Sequence, residues 1–330
     1  METKRPTNAE AEEVLGQYFP VLDHGFVSLV DYMGGDDSIE RAARVSYGYG
    51  TRRTSQTRGL IRYLRRHRHT TPSEMVELTF HCAMPMFVAR QWIRHRTANV
   101  NEYSGRYSLV PLLFYSPSEQ DFALQSAQNN QGRSDVPADA ALYRAAMERW
   151  ERMRAESAGA YGWLVGEDVA REIARIELPL STYTQWYWKI DLHNLLHFLT
   201  LRVDAHAQLE IRAYAEVMAG IVKRVAPLSY EAWIDYDVAG AHFSRGEMAA
   251  LRALLEPGDG AVRVRDGASL DAQSLAAHDL SPREARELVE KLRPRTRPDF
   301  ELDLGRMEAP EAVEARMREA VPQPDRVAPE

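Results

Sequence analysis

Residues 76–84 constrain the fold more than any other stretch of this chain. Val76, Leu78, Phe80, Cys82 and Met84 point one way, and Glu77, Thr79, His81 and Ala83 point the other. A period of two predicts a strand with one buried face. Pro85 follows at once and fits the first turn of a helix, MFVARQWIRHR, where its missing N–H would have had no partner. On that helix Gln91, Arg94 and His95 stand three or four residues apart and share a face. The alternation also sets Cys82 beside Phe80 on the apolar side, which predicts a packed, inert thiol rather than a nucleophile.

Elements on either side read less sharply. A strand is predicted over 26–33, then a short helix, SIERAARVSYG, with Ser38 as its N-cap. A second helix is predicted over 57–68, with a polar break at 70–74. The first helix after Pro85 should fade near Ala98, leaving 99–105 as a loop. Residues 107–115 read as a strand in which Pro111 marks an edge or bulge, and 116–139 as a surface loop. Helices follow over 140–161 and 168–177, the second stopped by Pro179. The aromatic run TYTQWYWKI (182–190) reads as a strand. Residues 191–226 read as one long helical region, bent near Asp204 and ending at Pro227.

Composition divides the chain. Residues 1–20 read as a flexible lead-in, 21–245 as the main domain and 246–330 as a charged, Pro-rich C-terminal extension. Eight of the seventeen prolines lie beyond Glu256, where Phe300 is the only aromatic residue. Ser281 and Glu284 form a capping-box pattern that opens a helix to about Leu292. The rest of the extension has too little apolar surface for a core of its own, so a chain trimmed after about Arg245 is expected to keep measurable activity.

The 330 residues, 45% hydrophobic with six Trp, can support a real core, and the net charge of −7 speaks against a general nucleic-acid or membrane coat. No window approaches 18 apolar residues, so no membrane span is expected. The N-terminus lacks the apolar run of a secretory signal. A single Cys excludes an intramolecular disulfide and points to the reducing cytoplasm.

Charge is concentrated locally. Between Arg41 and Arg106 stand thirteen Arg, three Glu and neither Lys nor Asp. Arg52, Arg53, Arg58 and Arg62 read as a solvated basic face. The string RHRTANVNEYSGRYS (94–108) is different, because Arg94, Arg96 and Arg106 are set among His, Asn, Ser, Glu and one Gly. Arg forks match phosphate oxygens bidentately and stay charged at any working pH. The string reads as a site for an anionic, hydrogen-bond-rich small molecule, with a nucleotide as the natural candidate. Its alternative is a structural Arg network.

Two further clusters are weaker. His67 to Glu74, with Thr71 and Glu74 in capping-box spacing, can hold a polar cofactor or simply form a capped turn. His193 and His197 stand at i and i+4, as do His206 and Glu210, a spacing that suits metal ligation. The zinc-hydrolase pattern needs Glu directly after the first His, where this chain has Asn194, so polar groups around a ligand are preferred to a metal centre. Arg175 and Arg202 are lone cations in apolar surroundings, and each needs a carboxylate or an anionic ligand. The sequence holds neither GxGxxG nor GxxxxGK[ST] nor GxSxG, so Rossmann, P-loop and nucleophile-elbow chemistry are unsupported.

Together these strings resemble the flavin-dependent thymidylate synthase family. The family signature, RHR, seven residues and Ser, stands here as Arg94-His95-Arg96 and Ser104. FVARQWIRHR, NEYSGRYS, HTTPSE, AARVSYG, ARIELPL, LRVDAHAQLEI and GFVSLVDYMG all look like family segments in family order, covering roughly 21–240. The resemblance implies an α+β fold with a central, mostly antiparallel sheet, flanking helices and one long helix. It implies a homotetramer whose active sites are shared between subunits. It implies conversion of dUMP to dTMP, with 5,10-methylenetetrahydrofolate giving the one-carbon unit and FAD, reduced by NADPH, the hydride.

By that resemblance Gln91, Arg94, Glu102, Tyr103, Ser104, Gly105, Arg106, Arg175 and Arg202 contact dUMP. Arg202 is the catalytic residue, favouring ionisation at N3 of the uracil so that C5 becomes nucleophilic. Ser46, His69, Thr71, Glu74, Arg94, His95, Arg96, Thr97, Glu102, Asp191, His193 and His197 match flavin-side positions, and no metal is implied. The flavin-free class of thymidylate synthase attacks uracil through Cys, a role the placement of Cys82 denies. A competing reading, a nucleic-acid module built on 52–68, has only local charge in its favour.

Overall fold

The computed structural model describes residues 6–46, 57–127, 132–258, 261–265, 271, 280–294 and 296–322. Residues 1–5 of the expected lead-in, Arg52 and Arg53 of the basic stretch and residues 323–330 lie outside them; the described part of the lead-in is packed rather than free, with Ala11, Val14 and Phe19 buried and Tyr18–Pro20 in the first strand of the central sheet. The centre is a five-stranded antiparallel sheet. Its strands are β1 (Tyr18–Val21), β2 (Gly25–Met33), β3 (Glu77–Pro85), β4 (Asn99–Glu102) and, after a separate two-stranded hairpin of β5 (Ala123–Gln125) and β6 (Arg133–Pro137), β7 (Tyr183–Asp191). The order across the sheet is β1-β2-β3-β7-β4.

The predicted alternation places β3 at the middle. Leu78, Phe80, Cys82 and Met84 are all fully buried. They pair along the whole of β7, from Glu77 opposite Asp191 to Pro85 opposite Tyr183. Ala83 is also fully buried, because the second face of the sheet is covered too. There Phe26, Ala83 and Val313 form a small apolar cluster with Tyr18 and Met317 around it. Val313 arrives on the helix Pro310–Glu319.

Helix α4 (Met86–Trp92) follows β3 with Pro85 as N-cap. It is shorter than expected, and Ile93 already closes it, so Arg94 to Arg96 stand in the turn beyond. Residues 99–102 form strand β4 where a loop was expected. All four are exposed, so no apolar pattern marked them; pairing with the 186–189 end of β7 makes the strand. Residues 107–115 form no strand apart from a bridge between Phe114 and Thr182. Their backbone groups find partners elsewhere: the Leu109 carbonyl accepts from Tyr103 Oη, Val110 N–H donates to Tyr161 Oη, and Leu112 N–H donates to the Ala320 carbonyl. The expected 116–139 loop contains the β5–β6 hairpin.

The long helix is α5 (Ala140–Gly166), 27 residues opened by Asp139, and the predicted 168–177 helix is reduced to Arg171–Ala174. The long helical region expected over 191–226 is two helices, Leu192–Arg202 and Leu209–Val225. Asp204 breaks it: its carboxylate accepts from His206 N–H at 2.8 Å and its carbonyl from Ala207 N–H, an Asx turn in place of helix. The early helix runs Asp36–Val45 with Gly35, not Ser38, at the N-cap. Asp36 instead caps the helix Pro227–Trp233, accepting from the N–H groups of Leu228 and Ser229. Among the described residues no helix is long and apolar enough to cross a membrane.

The chain divides into two compact units, 1–232 with 300–330, and 233–299. The composition-based expectation of an extension without apolar packing needs correcting on both sides of Asp299. Within 233–299, Ala250, Leu280, Ala285 and Leu288 form a buried cluster between helices Arg245–Ala253 and Pro282–Leu292. Both helices open with capping boxes, and Lys291 pairs with the buried Glu247 at 2.6 Å. Residues 300–322 belong to the first unit: Leu302 lies over Gly220, and Glu308 pairs with Tyr18 of β1.

Val313→Asp is therefore expected to destabilise the first unit by about 3 kcal/mol, read as a lower urea midpoint; an unchanged midpoint would refute the packing role. Burial pushes the Cys82 thiol well up. A thiol reagent should label no cysteine in the native protein and the single one after unfolding, and Cys82→Ala should retain activity.

Candidate active site

The expected site residues fall into three groups. The first is built on α4 and the helix Leu192–Arg202. Trp92, fully buried, stacks on Phe198 with centroids 5.1 Å apart, and this packing sets the turn 93–96 against that helix. His95 reaches Arg202 there. Arg202 Nε lies 3.1 Å and Nη2 3.0 Å from the same ring nitrogen, His95 Nε2. Phe198 meets the His95 ring edge-on at 4.8 Å. Burial, then the charges of Arg202 and His197, lower the His95 pKa to about 4. Burial also lowers that of Arg202. Gln91 hydrogen-bonds to Gln208. Arg94, Arg96 and Thr97 are exposed, and neither arginine forms an ion pair among the described residues.

The second group is the turn after β4. Thr184 Oγ1 donates to Glu102 Oε1 at 2.7 Å, and Tyr103 N–H donates to the Gln185 carbonyl. The Ser104 carbonyl accepts from the N–H groups of Tyr107 and Ser108, while its Oγ accepts from Arg106 N–H at 3.3 Å. Gly105 is buried at the point of closest approach. A Cβ there would come within 2.7 Å of Val110 Cγ2 and 3.1 Å of Arg175 Cδ. Arg175 thus lies against the glycine backbone, half-buried, with no carboxylate partner among the described residues. Arg106 pairs with exposed Glu172 at 3.0 Å.

The third group surrounds the one-turn 3₁₀ helix Thr71–Met75. Leu192 N–H donates to the Val76 carbonyl, which ties this turn to the start of the helix Leu192–Arg202. His69, Thr71 and Glu74 are exposed around it, and Ser46 is exposed at the end of the helix Asp36–Val45. Asp191 caps the helix through Asn194, accepting from its N–H at 2.9 Å and its Nδ2 at 2.7 Å. His193 Nδ1 is buried without a hydrogen-bond partner among the described residues, an uncommon condition that calls for a ligand atom or water. Eleven residues of helix span about 16 Å, so this helix carries Asp191 and His193 at one end and Arg202 at the other.

The first and third groups share the helix Leu192–Arg202, whose start is tied to the 71–75 turn, whereas among the described residues no hydrogen bond or ion pair joins the site residues of either to those of the second group. The partners Glu172, Thr184 and Gln208 were not found from sequence, because they lie 66, 82 and 117 positions from the residues they hold. The His206–Glu210 pair does not converge as a ligand set. His206 faces Asp204, and buried Glu210 accepts from Arg133 and Tyr115. On the basic helix Thr57–Arg66, Arg58 and Arg62 both pair with Glu231, which leaves less free charge for a phosphate track. A 630 Å³ cavity beside α5, lined by Phe87, Tyr115, Trp150 and Met153, and a 690 Å³ cavity beside the hairpin contain none of residues 94–108.

A family model described as thymidylate synthase complementing protein matches residues 28–228. The flavin-dependent thymidylate synthase of Gluconobacter oxydans (strain 621H) is 52% identical over 256 residues, 77% of this chain and 84% of the relative. That of Treponema denticola is 50% identical over 248 residues, 75% of this chain and 93% of the relative. The crystal structure of a UMP/dUMP methylase PolB from Streptomyces cacaoi, bound with 5-Br dUMP, superposes with a TM-score of 0.60 at 33% identity, covering 66% of this chain and 98% of that one. On these matches, together with its RHR turn and antiparallel sheet, the chain belongs to the flavin-dependent thymidylate synthase family.

Proposed function

We propose that this chain is a cytoplasmic flavin-dependent thymidylate synthase that methylates dUMP at C5 to give dTMP. The one-carbon unit comes from 5,10-methylenetetrahydrofolate, and NADPH supplies the two electrons that bring it from the formaldehyde to the methyl level. The products are dTMP, tetrahydrofolate and NADP⁺. The observation that carries the reading is the state of Arg175 and Arg202. Both are half-buried, and neither meets a carboxylate among the described residues. A desolvated guanidinium without a counter-ion implies an anionic ligand.

In this reading Arg175, Arg106 and the 103–106 turn bind the nucleotide with Gln91 and Arg94, and Glu102 lies at the edge of both ligands. Gly105 lets the turn close on Arg175 without a side chain between them. Arg202 stabilises negative charge on the uracil ring in a water-poor setting, which makes C5 nucleophilic. Ser46, His69, Thr71, Glu74, His95, Arg96, Thr97, Asp191, His193 and His197 are proposed for the flavin side. The Nδ1 of His193, unpartnered among the described residues, and the roughly 14 Å of helix between His193 and Arg202 suit an extended dinucleotide such as FAD. When bound, FAD supplies the hydride. Asp191 contributes by capping the helix that carries both histidines. Cys82, sealed in the sheet, is not a nucleophile for uracil.

A homotetramer with shared active sites accounts for a nucleotide-side turn that, among the described residues of one chain, is bonded to neither of the other two groups. Leu142, Met153 and Trp163 are exposed on α5, as are Ile176 and Leu180 after it, apolar surface of the kind that subunit contacts cover.

Anaerobic incubation of the purified protein with dUMP, methylenetetrahydrofolate and NADPH should yield dTMP, and the protein should carry flavin absorption. Absence of dTMP from flavin-loaded protein would overturn the reading. Arg202→Ala should lower turnover by about 10²- to 10³-fold while flavin stays bound; turnover equal to wild type would remove Arg202 from catalysis. Gly105→Ala should push Arg175 and Val110 aside and weaken dUMP binding at least about tenfold, read by titration of the flavin spectrum.

A further inference from the structure

We infer that His95 is a positioning residue for Arg202: its neutral imidazole, protonated at Nδ1, accepts from Nε–H and one Nη2–H, and so aims the Nη1–Nη2 edge at the uracil. The inference rests on the proposed role of Arg202 and goes beyond it by assigning which guanidinium edge is free and what holds the other.

The geometry carries the assignment. Arg202 Nε and Nη2 lie 3.1 and 3.0 Å from one nitrogen, His95 Nε2. A guanidinium has only donors and does not deprotonate in a protein. Nε2 must therefore be the acceptor, which places the ring proton on Nδ1. Of the five N–H donors of Arg202, two are fixed by His95 and three remain, all on Nη1 and Nη2. Those three form the planar end that pairs bidentately with adjacent acceptors. The ring itself is held: its backbone N–H donates to the Trp92 carbonyl at 2.9 Å, and Phe198 covers it edge-on.

The surrounding charge favours the same protonation state. The helix Leu192–Arg202 presents Arg202 and His197 to His95, and Phe198 between them is apolar. Arg94 and Arg96 flank it in its own turn. None of these groups is paired with a carboxylate among the described residues, and Asp204, two residues past Arg202, faces His206. A second cation at His95 would repel Arg202 and turn an N–H toward the guanidinium donors. With the pKa lowered from 6.5 to about 4, the accepting form holds at neutral pH and is lost as pH falls toward 4.

The test uses the full-length enzyme, as purified, with ¹⁵N-labelled histidine. His95→Gln identifies the His95 signal by its loss. We expect a neutral Nδ1–H ring with a bare Nε2 at pH 7 that titrates near pH 4, and a midpoint raised by roughly one unit in Arg202→Met. An Nε2–H tautomer, or a midpoint that ignores Arg202→Met, would overturn the pairing whatever the enzyme makes. In steady-state assays His95→Leu should lower kcat by up to about 100-fold with a smaller change in the KM for dUMP. His95→Gln, whose side-chain oxygen can still accept, should recover part of the loss; equal kcat in the two variants would also overturn the proposal. If the nitrogen signature appears as expected while Arg202→Ala turns over like wild type, the pairing stands and the catalytic role of Arg202 fails instead.

Discussion

The packing of Trp92 underlies the arrangement. It is the last residue of α4, it is fully buried, and its ring meets Trp186, Trp188, Phe198 and Tyr214 at 5.1 to 5.8 Å. Those four rings come from β7 and from the two helices that follow it. One indole thus joins the sheet to both helices, and aromatic contacts of this kind contribute beyond the area they bury. The Trp92 indole N–H has no acceptor among the described residues, so packing rather than a hydrogen bond holds the ring. Arg94, His95 and Arg96 leave directly from this anchor, and their proximity to the helix Leu192–Arg202 is a by-product of core packing. The charged string is polar enough to disfavour burial on its own account; Trp92 draws its first residues against the protein.

The parts of this fold legible in the sequence are those where one physical signal acts alone. In β3 the period of two is unbroken, and Pro85 stops it and starts a helix in the same step. β7 was legible from its aromatic run, and the capping box at Ser281 from two residues. Failures share a cause: distant groups supplied what the local pattern lacked. Four exposed residues make β4 because β7 offers them a ladder. Residues 107–115 look strand-like but give their hydrogen bonds to Tyr103, Tyr161 and Ala320. Ser38 looked like an N-cap, but Gly35 takes that place while Asp36 turns to another helix.

The same division holds at the site. Arginines in apolar surroundings were legible because an unpaired guanidinium is costly wherever it lies, and Arg175 and Arg202 do lack carboxylate partners among the described residues. The side chains that orient the site were not legible. Thr184 on Glu102, Glu172 on Arg106 and Gln208 on Gln91 are ordinary residues with no local pattern, made relevant by contacts across the fold. The link between His95 and Arg202 belongs to this class too, although both residues had been singled out separately.

The bridge between Tyr18 and Glu308 has a bearing on how the molecule is made. β1 is an edge strand, and an open edge invites pairing with other chains. Here Tyr18 N–H donates to the Glu308 carbonyl, and Glu308 N–H donates back to the Tyr18 carbonyl at 2.8 Å. The segment that bridges this edge is thus translated long after the sheet it protects. During synthesis the N-terminal elements can pair, yet β1 stays uncapped and Phe26 and Ala83 stay uncovered until residues 300–322 emerge. A ribosome stalled within 233–299 would hold a nearly finished sheet with one sticky edge, so the vulnerable interval in this protein's life falls late in translation, after most of its architecture exists.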